Sequence, residues 1–237
     1  IHSLMLQENK VSGEIPRHIC NMTSLVTLNL SYNHLDGNIP SEIGHLNHLV
    51  ILDFSNNNLS GTIPSNVGDL TKLTTLYLYR NQLNGHIPRE LGHLVNLRYS
   101  LLSYNKLIGY IPNSLGNLTK LTTLYLGMNQ LSGQIPRELG LLLNLEDLDL
   151  GINKLTGSMP TILGNMTRLT TLYLHHNQLS GQIPRELGWL LNLEDLEFSK
   201  NTLTGFVPNS LENLTKHTTL VLFSNQLSSR IPRELGW

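Results

Sequence analysis

Residues 121–140 read LTTLYLGMNQLSGQIPRELG, and the last twelve letters of that stretch, Asn129 to Gly140, return unchanged at Asn177 to Gly188. The copies lie 48 residues apart, but the underlying step is 24. Asparagine stands at Asn9, Asn33, Asn57, Asn81, Asn105, Asn129, Asn153, Asn177, Asn201 and Asn225 without an insertion or deletion. All ten prolines keep the same step, from Pro16, Pro40 and Pro64 to Pro232. A glycine precedes each proline by three residues, from Gly13 to Gly205, until Ser229 takes the last such place. Fixed spacing of this length is the mark of a stacked architecture, in which every layer solves the same packing problem.

One unit shows how a layer is built. Leu124 and Leu126 alternate with Thr123, Tyr125 and Gly127, the period of a half-buried strand. Asn129 follows where the strand ends, and its amide can satisfy backbone groups of the turn and of the next layer. Ten such amides predict a buried ladder of hydrogen bonds. Gly133 allows a backbone angle that other residues resist, and Pro136 removes a donor that no neighbour would satisfy. Leu139, Leu142 and Leu145 return apolar contacts from the convex side. Leu28, Leu30, Leu172 and Leu174 are expected in the core with Leu124 and Leu126, and Thr27, Tyr125 and Tyr173 on the concave side. Strands at roughly 4.8 Å per layer give an arc on the order of 50 Å.

The segments LSGQIP, LDGNIP, LSGTIP and LTGSMP, joined to the leucine pattern, resemble the plant-specific leucine-rich repeat. Such repeats occur in the ectodomains of plant receptor-like kinases, in receptor-like proteins and in polygalacturonase-inhibiting proteins. The resemblance covers essentially the whole chain. It implies a right-handed α/β solenoid of ten 24-residue repeats, with one parallel strand per repeat on the concave face. Residues 1–237 are read as one domain, truncated within a repeat at both ends. Plant-type ectodomains carry cysteine-paired caps, whereas this chain has only Cys20, so it is read as an excerpt of a longer receptor or as a truncated homologue. Cys20 takes a slot that is mostly glycine (Gly44, Gly68, Gly92) and is expected to be a small buried thiol.

The formal net charge is −1 with no basic stripe, which argues against a nucleic-acid partner. The longest apolar runs, such as LGLLL, are too short to span a bilayer, so this segment is expected to make no membrane contact. N-x-S/T sequons occur at Asn21, Asn29, Asn58, Asn117, Asn165 and Asn213. Asn21, Asn117, Asn165 and Asn213 share one slot of the repeat, and Asp69 breaks the series. A convex position suits a bulky glycan, so these four and Asn58 are candidate glycosylation sites, whereas Asn29 lies within a strand and is a poor acceptor. The plant-receptor resemblance favours a secreted, extracellular chain.

No nucleophile elbow, zinc-helix motif or phosphate loop is present, and metal-ligand spacing is absent. The chain is read as a binding module without a cofactor, and any kinase activity would belong to a part of the parent outside it. What varies between layers is the outward face of the strand. One column runs Met5, Asn29, Asp53, Tyr77, Leu101, Tyr125, Asp149, Tyr173, Glu197, Val221. The column two residues earlier holds Tyr99, Asp147 and Asp195 between Thr75, Thr123 and Thr171. Two residues later come Tyr79, Gly127, Gly151, His175 and Phe223, flanked by Arg80 and His176.

Two features follow. Tyr77, Tyr79, Tyr99 and Tyr125 form an aromatic zone of a kind enriched in binding sites. Glu146, Asp147 and Asp149, then Glu194, Asp195 and Glu197, put two acidic clusters roughly 10 Å apart on either side of the Tyr173, His175, His176 layer. Together they form a negative groove that would attract a basic ligand, although the 48-residue duplication could also have copied these acids as plain solvated surface. Glycosidase-like use of Asp147 and Asp149 is disfavoured, because an open sheet offers no desolvated pocket to separate their pKa values.

The leading reading is an extracellular module that holds a secreted peptide or protein along the concave strands, with a co-receptor ectodomain meeting one end. The alternatives are an inhibitor of a secreted cell-wall-degrading enzyme and an ice-binding protein. Thr75, Thr123, Thr171 and Thr219 line up for the last of these, but only every second layer. Ser100, His217 and Ser229 depart from the repeat, and Ser100 in place of a strand leucine is expected to weaken its layer.

Overall fold

A computed structural model describes residues 1–216 and 219–228. The departures His217 and Ser229, and Pro232, lie outside the described residues. Ten three-residue strands form one parallel sheet: Ser3–Met5, Thr27–Asn29, Ile51–Asp53, Thr75–Tyr77, Tyr99–Leu101, Thr123–Tyr125, Asp147–Asp149, Thr171–Tyr173, Asp195–Glu197 and Thr219–Val221. Their order in the sheet is their order in the chain, and each residue pairs with the residue 24 further on, as Leu124 does with Leu148. Leu28, Leu30, Leu124, Leu126, Leu172 and Leu174 are buried, while Thr27, Tyr125 and Tyr173 are half-buried on the opposite face. A one-residue slip would exchange these two sets, so the alternation allows a single register.

The repeat carries more than one strand. A second parallel sheet of seven strands runs along the flank, from Asn84–His86 through Gln130–Gly133 to Gln226–Leu227. A pair, Ser12–Glu14 with His34–Asp36, and the bridges Asn38 to Ser60 and Thr62 to Asn84 extend the pattern toward the N-terminal layers. These flanking strands follow the ladder asparagine and are polar and short, so they lack the apolar alternation that marks the concave strands. They pair because each layer repeats the backbone of the last. Gly133, with φ +75°, turns the chain out of this strand, and the Tyr110 ring of the preceding layer lies where a Cβ at Gly133 would stand. That position therefore excludes a side chain on two counts.

The convex side holds five-residue 3₁₀ turns rather than α-helices among the described residues, from Arg17–Asn21 to Asn209–Asn213. Each begins after a proline whose fixed φ starts the turn, as Pro136 does at −61°. Leu139, Leu142 and Leu145 are fully buried between this side and the strands.

The asparagine ladder is present. Asn129 Nδ2 donates to the carbonyls of Leu102 (3.1 Å), Leu126 (3.1 Å) and Gly127 (3.3 Å), and its Oδ1 accepts from the Leu107 N–H at 3.0 Å. The same contacts recur at Asn33, Asn57, Asn81, Asn177 and Asn201, which are buried, and at the half-buried Asn105 and Asn153. Asn9 is exposed and its side chain bonds only within its own turn, so the expectation of ten buried rungs is too broad there. Immediately before each asparagine the chain turns through a left-handed conformation at a residue other than glycine, including Ile152 (φ 54°) and His176 (φ 51°). From Tyr32 onward the carbonyl of each such residue accepts from the asparagine N–H one layer earlier, as Ile152 does from Asn129 at 3.2 Å, and this stack-wide bonding opposes the local steric cost.

Cys20 is fully buried in its glycine slot, and burial, with a smaller contribution from the Glu42 carboxylate, pushes its thiol up to about 11. It is expected to resist a thiol-specific reagent in the native protein at pH 8 and to react fully once the chain is unfolded in denaturant. Rapid labelling of the native protein would contradict that placement.

Candidate ligand-binding site

The concave strands position the candidate residues by register alone. Tyr125 pairs with Asp149, Asp149 with Tyr173, and Tyr173 with Glu197, so these four form one continuous column. In the adjacent column Thr123 pairs with Asp147, Asp147 with Thr171, and Thr171 with Asp195. Tyr99 stands between Thr75 and Thr123 in that second column, beside Leu101 rather than in line with Tyr77 and Tyr125.

Two glycines change how the acidic groove is shaped. The Asp149 carboxylate leans over Gly127 and the His175 imidazole over Gly151, each occupying the place where a Cβ would stand. Asp149 Oδ1 also accepts from the Gly151 N–H at 2.8 Å. Desolvation in this recess raises the Asp149 pKa, with Glu197 adding to the rise and the Gly151 hydrogen bond and His175 opposing it. The sheet is therefore not uniformly open, and the expectation that no desolvated position exists fails at Asp149. It fails because Gly127 lets the carboxylate sink against backbone instead of pointing to water.

His175 connects the two acidic layers. Its Nδ1 lies 3.5 Å from Glu197 Oε2, and its ring packs edge-on against Tyr173 (centroids 6.0 Å apart) and His176 (5.9 Å). Glu197 Oε1 in turn accepts from the Ser199 hydroxyl at 3.0 Å. His176 is exposed on its left-handed turn, and desolvation, Lys200 and His175 lower its pKa. Tyr125 and Tyr173 are both raised, first by burial and then by the carboxylates beside them. Asp147 lies 3.4 Å from the Thr170 hydroxyl, and Asp195 is half-buried on the next acidic strand.

The aromatic zone is larger than the sequence reading made it. Tyr77 and Tyr79 meet edge-on with centroids 6.2 Å apart. Tyr79 raises the pKa of Tyr32, and Arg80 lies over the Tyr104 ring at 5.2 Å. Tyr32, Arg80, Tyr104 and His176 all occupy the left-handed position before the ladder asparagine. Tyr32 and Tyr104 were missed because they follow the strand and sit outside its alternation. Their common phase in the 24-residue step was the signal that could have found them. Tyr99 and Tyr125 belong to the same concave surface, whereas the acidic groove begins one layer beyond Tyr125.

Cavities of about 560 and 490 Å³ lie on the flank, around Tyr110, Gln134 and Arg137 and around Gln182, Arg185 and Phe206, away from both concave features. Among the described residues no three His, Cys, Asp or Glu side chains are grouped to hold a metal ion.

The repeat seen in these layers is matched by the family model described as Leucine Rich Repeat, over residues 24–46, 48–70, 72–94, 120–142, 144–166, 168–190 and 192–214. The chain belongs to the leucine-rich-repeat family. No curated protein sequence matches it. Among solved structures, this leucine-rich-repeat chain is similar to the plant peptide hormone receptor RGFR1, solved in complex with RGF2, with TM-score 0.94 and 38% identity over 96% of this chain and 36% of that one. It is similar to the Arabidopsis receptor kinase HAESA, solved with the peptide hormone IDA and the co-receptor SERK1, with TM-score 0.90 and 39% identity over 95% of this chain and 38% of that one. A plant ice-binding protein gives TM-score 0.87 and 32% identity over 97% of this chain and 74% of that one. The leucine-rich-repeat chain thus spans well under half of the two receptor chains.

Proposed function

We propose that this chain is an extracellular ligand-recognition segment of a plant receptor, holding an extended, positively charged peptide along its concave strands. The supporting observation is the column Tyr125, Asp149, Tyr173, Glu197, in which aromatic contact area alternates with half-buried carboxylates. Asp147, Asp195 and His175 flank it, and Tyr77, Tyr79, Arg80 and Tyr99 extend the surface toward the N-terminal layers. RGFR1 and HAESA, both with peptide hormones bound in their structures, lend the reading support by similarity. A co-receptor ectodomain would meet one end of the solenoid, as a further expectation from HAESA with SERK1. Residues 1–237 are treated as one repeat domain that binds rather than catalyses. No helix among the described residues is long and apolar enough to cross a membrane.

Exposed charge pairs contribute about 0.2–1 kcal/mol each, so the carboxylates mainly steer and orient the ligand. In titrations of basic peptides from a secreted-peptide library, the Asp149→Asn, Glu197→Gln double variant is expected to bind about 2- to 30-fold more weakly at low salt. It should also lose much of the wild type's salt dependence. Lower pH should weaken wild-type binding, because Asp149 is neutralised above the usual aspartate range and His176 gains positive charge only below the usual histidine range. Both changes reduce attraction for a cation. Equal affinity and equal salt dependence in the two proteins would leave the acidic strip as copied surface, and the site would then be sought at Tyr77, Tyr79 and Arg80.

The similarity to a plant ice-binding protein favours ice as the second reading. Against it, the register interrupts Thr75, Thr123, Thr171 and Thr219 with Tyr99, Asp147 and Asp195, so no flat threonine array forms in consecutive layers. Thermal hysteresis that persists in the double variant would support ice over peptide.

A further inference from the structure

The convex face carries an alternation that peptide recognition does not use. At the end of each 3₁₀ turn one residue and the next but one point outward. In two layers both are large and apolar: Leu141 and Leu143 (51% and 54% exposed), and Trp189 and Leu191 (both 54% exposed). Each pair is exposed apolar surface that water does not favour, and the polar layer of Asn165 and Thr167 stands between the two pairs. The layers on either side of each pair carry the sequons at Asn117, Asn165 and Asn213, and all three asparagines are exposed at the ends of their turns.

The coincidence extends to the layers that lack it. Where Asp69 replaces the sequon asparagine, the two neighbouring layers have a sequon on one side only. Their outward pairs are His45 with Asn47, both polar, and His93 with Val95, half polar. Apolar pairs therefore occur where sequons stand on both sides. At roughly 4.8 Å per layer, flanking asparagines are roughly 10 Å apart with the apolar pair midway between them, within reach of the first sugars of a glycan.

We propose that N-glycans on Asn117, Asn165 and Asn213 lie back over Leu141, Leu143, Trp189 and Leu191, so that the carbohydrate is the cover of this apolar strip. The C–H face of a pyranose ring packs against aliphatic and indole surfaces while its hydroxyls stay in water, which matches a strip that is apolar yet open to solvent. The proposal rests on the extracellular reading and is independent of what the concave face binds.

The test uses the chain secreted from plant cells with a Trp237→Phe change, which leaves Trp189 as its one tryptophan. Peptide mapping is expected to find sugar on Asn165 and Asn213. Acrylamide quenching of Trp189 is expected to rise about twofold, with a red-shifted emission, when an amidase removes the whole glycans from the folded protein. An endoglycosidase that leaves the first N-acetylglucosamine should change quenching much less. A Thr167→Ala, Thr215→Ala variant, which abolishes both sequons and keeps both asparagines, should match the amidase-treated protein. Bare sequons in the secreted chain would overturn the proposal, as would full occupancy with identical quenching before and after removal. If the strip is bare and the secreted chain sediments as a dimer, a second copy covers it instead. Titration with basic peptides on the same samples reads the recognition surface separately, so either idea can fail alone.

Discussion

Replacing Asn177 with leucine is expected to lower the unfolding free energy by about 1–3 kcal/mol, measured by urea denaturation. Asn177 is 8% exposed, and its Nδ2 donates to the carbonyls of Leu150 (3.0 Å), Leu174 (3.2 Å) and His175 (3.3 Å). Its Oδ1 accepts from the Leu155 N–H at 2.9 Å. Leucine has similar bulk and no polar atom, so the Leu155 N–H loses that acceptor inside the stack. The carbonyls fare better, because Asn153 also donates to Leu150 at 3.1 Å and Asn201 to Leu174 at 3.0 Å. Neighbouring rungs therefore share acceptors. An Asn153→Leu, Asn177→Leu pair should destabilise by more than the sum of the single changes, since the Leu150 carbonyl then loses both amides. A single-variant loss below about 1 kcal/mol would show that the ladder is held by the backbone and not by its side chains.

Ser100→Leu should act in the opposite direction, raising stability by about 1.5–3 kcal/mol with a corresponding rise in Tm. Ser100 is 4% exposed and pairs in register with Leu76 on one side and Leu124 on the other. The equivalent residues in the remaining strands are Leu4, Leu28, Leu52, Leu148, Leu172, Leu196 and Leu220. A leucine at position 100 would therefore enter a backbone that already accommodates it throughout the stack, adding apolar area where a hydroxyl now stands. A fall in Tm would mean that the neighbouring side chains have closed over the serine and that the change overpacks the layer. Nothing in the structure gives Ser100 a role that offsets the weaker packing.

The concave register and the asparagine ladder were legible because each has one physically acceptable solution. Leu124 and Leu126 can be buried together only if Tyr125 faces the other way, and an asparagine repeated at the end of every strand has only backbone to satisfy. The flanking sheet was not legible, since segments such as Gln130–Gly133 show no apolar alternation and pair through repetition of the backbone. The left-handed turns were hidden for a related reason. Tyr32, Arg80, Ile152 and His176 occupy them where sequence reasoning looks for glycine or asparagine. The candidate site was half legible: columns of residues follow from the step of 24, but the depth to which a side chain sinks does not. Asp149 and His175 settle against their neighbours' layers because Gly127 and Gly151 leave space, a relation between layers rather than between adjacent letters.

The ladder bonds that cross between layers join residues 22 and 27 apart, the concave strand pairs residues 24 apart and the flanking strand pairs residues 22 apart. Every contact that builds the stack thus closes a loop of about one repeat, whichever layers it joins. With a chain of 237 residues the relative contact order is about 0.1, in the range of helical bundles rather than of β-sandwiches. Folding can start at any pair of adjacent layers and advance in both directions, each new layer docking onto a finished template at the same loop-closure entropy as the last. A longer stack of this kind takes more steps to complete, but no step becomes harder.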